Sequence, residues 1–145
     1  MAPPASDQLK KSWSRRPGFV AIWVNPARRM ASRATSAVVA DFKQAGELVK
    51  TAIDSFGGLD VVVNNAGIVR DRMFVSCSEE EWDAVIRVHL KGHFCVASNA
   101  CAYWRQRAKA KEPVDARIIN TSSGAGLQGS IGQSAYSAAK AGITT

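Results

Sequence analysis

The sequence predicts an α/β fold built around a parallel sheet, on three observations. From residue 37 onward, short apolar runs alternate with patterns of helical period, which is the element order of α/β proteins. Residues 59–63 (L-D-V-V-V) form an apolar run, as expected for a strand covered on both faces. Polar motifs follow this run and the next strand candidate at 117–121. Because ligands bind beyond the carboxyl ends of strands in such sheets, function is expected there.

The elements of the first half follow one another closely. Residues 37–41 (A-V-V-A-D) read as a short buried strand. Apolar residues then recur every three to four positions and predict a helix from Phe42 to Phe56, which Gly57 and Gly58 end. The strand at 59–63 comes next.

The second half repeats the alternation with a longer helix. Ser78 is a candidate helix cap, since acidic residues follow it in the first turn, where the helix dipole favours them. An apolar face then continues to about Arg107, and a charged loop occupies residues 108–116. We predict a strand at 117–121 and a final helix from Gln133 onward.

Residues 1–36 differ in composition from residues 37–145. The net charge is +7, but residues 1–40 carry seven Lys or Arg against one Asp, whereas residues 41–145 carry twelve basic and eleven acidic groups. We predict that 1–36 is a basic segment, disordered or non-homologous, before a folded part at 37–145. It also resembles an organelle transit peptide. Its one candidate strand is the apolar run 19–24.

Composition excludes several classes of protein. No stretch approaches the ~20 apolar residues of a membrane span. The three cysteines show neither paired nor metal-ligand spacing, so we predict no disulfide framework and no metal site, and a cytoplasmic location. The basic residues of the N-terminal segment form no organised pattern, so we predict no nucleic-acid partner and no membrane partner.

Three side chains near the last predicted strand suggest acid–base chemistry. Tyr136 and Lys140 lie one helical turn apart, and Ser123 stands thirteen positions before the tyrosine. An ammonium nearby favours the phenolate, so it lowers the phenol pKa from its usual value of about 10. The Ser123 hydroxyl could donate a hydrogen bond to a substrate carbonyl oxygen on which negative charge develops. An exposed Tyr/Lys pair without a role is the simpler alternative, and Ser123 favours the functional interpretation.

In order, spacing and strand context, these motifs resemble the short-chain dehydrogenase/reductase family over about residues 37–145. Asn64-Asn65-Ala66-Gly67 is similar to its N-N-A-G element, and Tyr136-x-x-x-Lys140 to its Y-x-x-x-K pair. The resemblance implies hydride transfer between NAD or NADP and a secondary alcohol or ketone, a small-molecule substrate. It implies catalytic roles for Ser123, Tyr136, Lys140 and His89, and cofactor contacts from Asp41, Asn64, Ala66, Gly67, Tyr136 and Lys140.

His89 stands where the family usually has asparagine. This resembles the branch with the hydroxyacyl-CoA dehydrogenase domains of multifunctional β-oxidation enzymes, which implies a 3-hydroxyacyl thioester as substrate. An imidazole there could bridge a water to Lys140. A histidine satisfied by a backbone carbonyl is the equal alternative. His93, one turn on, is interpreted as structural.

A glycine-rich loop between Ser123 and Tyr136 matches a dinucleotide fingerprint by letter. Residues 124–129 read G-A-G-L-Q-G, but they follow a late strand, and we predict that no helix begins inside them. The family resemblance implies a substrate loop instead. We interpret the fingerprint match as coincidental.

The usual phosphate-binding turn is missing from the pattern. Before Gly57 only Gly18 and Gly46 occur, and the chain ends at Thr145 within the last predicted helix. We therefore predict a partial Rossmann-type doubly wound parallel sheet, lacking the first β-α-β unit and the C-terminal strands, that binds dinucleotide poorly. The alternative is a truncated or frameshifted, inactive fragment, at most an interaction partner of intact relatives. The resemblance also implies homo-oligomers formed through the long helices.

Overall fold

The computed structural model describes residues 21–24 and 39–145. In this part of the chain, three strands form one parallel sheet in the order β1-β2-β3. The strands are β1 (Ala21–Val24), β2 (Val61–Asn64) and β3 (Arg117–Asn120). The helices are α1 (Phe42–Phe56), α2 (Glu79–Ile86), α3 (Gly92–Lys109), α4 (Gly124–Gln128) and α5 (Ser134–Thr144). The parallel α/β architecture predicted from the sequence is thus confirmed.

On the side of β2 away from β3 lies β1, which belongs to the predicted N-terminal segment. Ala21 pairs with Val61, and Val24 with Asn64, in parallel register. The candidate strand at 19–24 is therefore confirmed over residues 21–24, and residues 19–20 lie outside the described residues. The division of the chain at residue 36 stays a prediction.

The predicted strand at 37–41 is wrong where the structure describes it. Residues 39–41 form no strand, and residues 37–38 lie outside the described residues. Val39 and Ala40 are each 1% exposed. Asp41 has an extended backbone and caps α1, because its carboxylate accepts a hydrogen bond from the Gln44 amide at 2.8 Å. Burial in a core and helix capping account for the same A-V-V-A-D pattern without a strand.

Helix α1 has the predicted boundaries, Phe42 to Phe56. It ends at Gly57, whose φ of +78° is left-handed and whose amide donates to the Ile53 carbonyl at 2.8 Å. Glycine tolerates this conformation without the steric cost that a side chain adds. The helix packs on α3 through a core cluster that it shares with the start of β2.

The long predicted helix is confirmed, with one irregularity. Ser78 begins α2 with a capping box, in which its side chain accepts from the Glu81 amide while the Glu81 carboxylate accepts from the Ser78 amide. Between α2 and α3, residues Arg87–Lys91 form a π-helical turn. Such turns often mark functional sites, and this one contains His89. A 3₁₀ turn, Phe74–Ser76, precedes α2.

The loop after β3 contains a helix that the sequence analysis did not predict. Helix α4 begins at Gly124, because the Ser123 hydroxyl accepts from the Ala125 amide at 3.3 Å. The prediction that no helix begins in this loop was therefore wrong. A Cβ built on Gly126 would stand 2.6 Å from the Lys140 carbonyl carbon, so glycine allows α4 to lie directly on α5. The cap and this close packing favour a helix despite the glycines.

The apolar core lies between α1, β2 and α3. The Trp104 side chain is 7% exposed, and its indole N–H donates to the Leu59 carbonyl at 2.6 Å, just before β2. No helix in residues 39–145 is long and apolar enough to cross a membrane.

Candidate active site

Tyr136 and Lys140 share one side of α5, as their spacing predicts. The Lys140 Nζ lies 5.6 Å from the centre of the Tyr136 ring. Lys140 is 4% exposed and donates to the Thr121 carbonyl at 2.5 Å, and burial lowers its pKa. The Tyr136 ring is half-buried, and no described residue bonds to its hydroxyl. The structure therefore places a buried lysine beside a half-buried tyrosine ring.

The segment after β3 wraps around the same lysine. The Ser122 hydroxyl donates to the Lys140 backbone carbonyl at 2.8 Å, next to the bond from Lys140 to Thr121. Ser123 starts α4, which packs on the Lys140 backbone through Gly126. The Ser123 oxygen accepts a bond from the Ala125 amide. Its own hydrogen therefore remains available to donate elsewhere.

His89 lies behind Tyr136 and bonds to the backbone. Its Nε2 lies 2.7 Å from the Ile68 carbonyl oxygen and 3.1 Å from the Ile68 amide nitrogen. The ring is 2% exposed and meets the Tyr136 ring edge-on, with centres 5.2 Å apart. Burial lowers the pKa of His89, and the Lys140 charge lowers it further. This geometry matches the alternative in which His89 is hydrogen-bonded to a backbone carbonyl. A water bridge from His89 to Lys140 stays a prediction.

The motif after β2 reaches this cluster through its backbone. The Asn64 side-chain Nδ2 donates to the Asn120 Oδ1 at 3.0 Å, and the Asn64 backbone carbonyl accepts from the Thr121 backbone amide at 3.0 Å. Ala66 is 5% exposed. A Cβ on Gly67 would lie 2.5 Å from the His89 ring. Glycine is thus required at position 67 for the imidazole to fit.

No hydrogen bond or ion pair among residues 39–145 joins Asp41 to this cluster. Its carboxylate is occupied as the cap of α1. The structure therefore joins Ser123, Tyr136, Lys140 and His89 in one region, with Asn64, Ala66 and Gly67 at the neighbouring strand end. A cofactor role for Asp41 stays a prediction.

His93 is a buried group to which the sequence analysis gave no role in the site. It is 7% exposed, and burial and the Lys140 charge lower its pKa to about 4. The backbone carbonyls of His89 and Asn64 act on its ring in the opposite sense. The sequence feature that could have indicated His93 is its spacing of four residues from His89, which places both rings on one helix face. Among residues 39–145, no three His, Cys, Asp or Glu side chains are arranged to hold a metal ion.

The sequence model of the family described as short chain dehydrogenase matches residues 24–145. The chain belongs to this family. A solved short chain dehydrogenase from Mycobacterium avium superposes with a TM-score of 0.72 at 69% identity, covering 73% of this chain and 37% of that one. The family resemblance predicted from the motifs is confirmed.

Relatives of this chain include a hydroxyacyl-CoA dehydrogenase and a peroxisomal multifunctional enzyme. Hydroxyacyl-CoA dehydrogenase ChsB1 of Mycobacterium tuberculosis is 58% identical over 113 residues, covering 74% of this chain and 35% of the relative. Peroxisomal multifunctional enzyme type 2 of Mus musculus is 53% identical over 104 residues, covering 71% and 13%. The chain thus spans about a third or less of these relatives. The branch predicted from His89 agrees with their names.

Proposed function

We propose that this chain carries the catalytic residues of an NAD(P)-dependent oxidoreductase for secondary alcohols or ketones, with 3-hydroxyacyl thioesters as the substrate class. The placement of Tyr136 beside the buried Lys140 Nζ carries the proposal. The names of the relatives, a hydroxyacyl-CoA dehydrogenase and a multifunctional enzyme, support the thioester class. Family membership supports a nicotinamide cofactor.

Tyr136 is the proposed acid/base. In the oxidising direction, its phenolate would take the hydroxyl proton of the alcohol. A nicotinamide held beside Lys140 would supply the acceptor for the hydride that leaves the carbon bearing that hydroxyl. In the reducing direction the proton returns from Tyr136 to the carbonyl oxygen. The Lys140 Nζ lies 5.6 Å from the centre of the Tyr136 ring and is the proposed positive group beside the reacting phenol.

Ser123 and His89 are proposed to support this proton transfer. Ser123 accepts from the Ala125 amide, so its hydrogen can donate to the substrate oxygen as charge develops there. His89 packs edge-on against Tyr136 while bonded to Ile68, which limits the positions available to the phenol ring. Its proposed role is therefore auxiliary.

The residues of the site fit the nicotinamide end of a dinucleotide. Lys140 uses one N–H for Thr121, which leaves donors for ribose hydroxyls. At the strand end, the side chain of Asn64 is bonded to Asn120 and Ala66 is buried, so backbone groups near Gly67 are the proposed contacts to the cofactor. We propose NAD or NADP without choosing between them.

Two further properties are proposed from the sequence, namely the location of the protein and its self-association. We propose a cytoplasmic location from the cysteine usage, although one relative is named as peroxisomal. We also propose self-association through the long helices, of which α3 carries Phe94 at 60% exposure.

Replacing Tyr136 by Phe tests the proposal. We expect slow turnover of a 3-hydroxyacyl-CoA by the full chain, followed as NADH or NADPH absorbance, and a loss of about 10²–10⁴-fold in kcat in Tyr136→Phe. The change removes one oxygen from a half-buried ring, so the thermal unfolding midpoint should stay close to that of the unmodified chain.

Tyr103→Phe is the matched control, because it removes the same oxygen from the other tyrosine, on α3. It should retain turnover. Full activity in Tyr136→Phe would contradict the proposed acid/base. Absence of both turnover and dinucleotide binding in the unmodified chain would instead support the inactive fragment as the better description.

A further inference from the structure

The loops that follow β2 and β3 are joined to each other just before α5 begins. The Arg72 backbone amide donates to the Gly132 carbonyl at 2.7 Å, and Arg72 and Gln133 form a parallel β-bridge. The Gln133 side-chain Nε2 donates to the Asp71 Oδ1 at 3.0 Å. We call these four residues, Asp71, Arg72, Gly132 and Gln133, the loop bridge.

The loop bridge is also tied to the start of α2. The Arg72 guanidinium contacts both carboxylate oxygens of Glu81, with Nη2 2.6 Å from Oε1 and Nε 3.2 Å from each oxygen. Glu81 completes the capping box with Ser78. An exposed ion pair adds little stability by itself, but its forked geometry fixes the direction of the contact. Since α2 packs on α5, the bridge links the beginnings of two helices that already contact each other.

The first turn of α5 lacks the usual means of support. The first N–H groups of a helix have no partner within it, and the side chain of the capping residue often accepts from one of them. Gln133 is the capping residue of α5, and within the described residues its side chain makes no capping bond. That side chain is bonded to Asp71 instead. Tyr136 is the third residue of α5 and therefore belongs to this turn.

The loop after β2 reaches Tyr136 by a second route, through His89. Ile68 stands three residues before Asp71, and its backbone is hydrogen-bonded to the His89 Nε2. The His89 ring meets the Tyr136 ring edge-on, with centres 5.2 Å apart. The segment 68–72 thus supports the Tyr136 ring at one end and holds the backbone just before Tyr136 at the other.

We propose that the loop bridge positions Tyr136, and that Asp71 and Gln133 are positioning residues for the proton transfer at its hydroxyl. They act by fixing the backbone from which the Tyr136 ring extends, and neither has to contact the substrate. The placement of the ring stands independently of turnover. Only the consequence for catalysis rests on the proposed function.

The test follows the two tyrosines of the full chain, Tyr103 and Tyr136, by NMR with ¹³C-labelled tyrosine. The ring current of His89 makes the Tyr136 signals sensitive to small displacements, whereas Tyr103 on α3 is an internal reference. In Asp71→Ala we expect the Tyr136 signals to shift or broaden and the Tyr103 signals to stay in place. Asp83→Ala, which removes an exposed carboxylate of α2, is the matched control and should move neither.

An exchange of donor and acceptor tests for rescue. Gln133→Glu alone places a second carboxylate beside Asp71 and should displace the Tyr136 signals as Asp71→Ala does. In the double variant with Asp71→Asn and Gln133→Glu, an amide at position 71 can donate to a carboxylate at position 133. The Tyr136 signals should then return to their original positions.

Turnover of the same variants measures the consequence for catalysis. We expect kcat to fall by about 10-fold in Asp71→Ala, with an unchanged KM for the dinucleotide, and to recover in the double variant, because small misplacements of reacting groups cost up to about 10²-fold. Asp83→Ala should keep its kcat.

Each part of the proposal has a result that contradicts it. Tyr136 signals that stay in place in folded Asp71→Ala and Gln133→Glu, or that stay displaced in the double variant, would overturn the positioning role. Displaced signals with an unchanged kcat would overturn the catalytic consequence. The expected signals in a chain without turnover would overturn the proposed function alone.

Discussion

Strands β2 and β3 resemble each other in sequence but differ in burial. Both have four residues and end in two aliphatic residues and an asparagine, although β3 begins with Arg117, and they pair in parallel with Asn64 opposite Asn120. All four residues of β2 are buried, whereas all four residues of β3 are exposed. In β3 Ile118 is 37% and Ile119 is 42% exposed. Similar side chains thus have opposite environments only one strand apart.

The neighbours of the two strands account for the difference. Strand β2 has a parallel partner on each side and borders the core cluster that α1 and α3 complete. In the described part of the chain, β3 is paired with β2 alone. Yet both strand ends supply the site, since β2 leads to Gly67 and β3 leads to Thr121 and Ser123. The buried contacts thus lie at β2, whereas the residues of the candidate site follow both strands.

The largest expected effect is that of Trp104→Ala, which removes a side chain that covers the start of β2. The indole is buried in the core cluster and bonded to Leu59, so we expect a loss of about 3–5 kcal/mol in the free energy of unfolding. Urea unfolding of the full chain measures it. Trp82→Ala, at a partly buried indole of α2, should cost less. Equal losses would mean that β2 is not the centre of stability.

Acid should lower the free energy of unfolding through His93, a buried side chain of α3 near the carboxyl end of β2. The pKa of His93 is about 4 in the folded chain, against about 6.5 when unfolded. The unfolded state therefore binds more protons between these values, so stability is complete above about pH 6.5 and falls as the pH drops toward 4. The full effect is at most about 3 kcal/mol.

Urea unfolding at several pH values measures this acid loss. His93→Gln removes the titrating group and should flatten part of the profile, while the lowered pKa of His89 contributes in the same direction. An identical pH profile in His93→Gln would show that this ring titrates normally in the folded chain.

The smallest expected effects come from matched substitutions in the two strands, which compare β2 with β3 directly. Val62→Thr places a hydroxyl at a position that is 0% exposed, and should cost about 1–3 kcal/mol. Ile119→Thr makes a similar change at a position that is 42% exposed. It should cost clearly less, because the hydroxyl stays in contact with water. Thermal unfolding of the two variants measures the difference, and equal shifts would mean that β3 is covered in solution.

Much of this architecture could be predicted from local patterns. The boundaries of α1 followed from apolar spacing and Gly57, and the start of α2 from Ser78 and its acidic first turn. The Tyr136/Lys140 pair followed from helical spacing. The strand at 37–41 could not be told from a buried helix cap, because an apolar run before Asp41 suits both. Helix α4 was missed because glycines disfavour helices, and its packing against α5 is a long-range contact.

The sequence by itself determined the alternation of strands and helices, the family and the residue types of the candidate site, since these depend on spacing along the chain. Tertiary structure decided that the run at 21–24 pairs with β2 and that residues 39–41 form no strand. It also decided that Gly67 makes room for His89 and that β3 is exposed while β2 is buried. Each of these depends on which segments meet in space, and no local pattern contains that information.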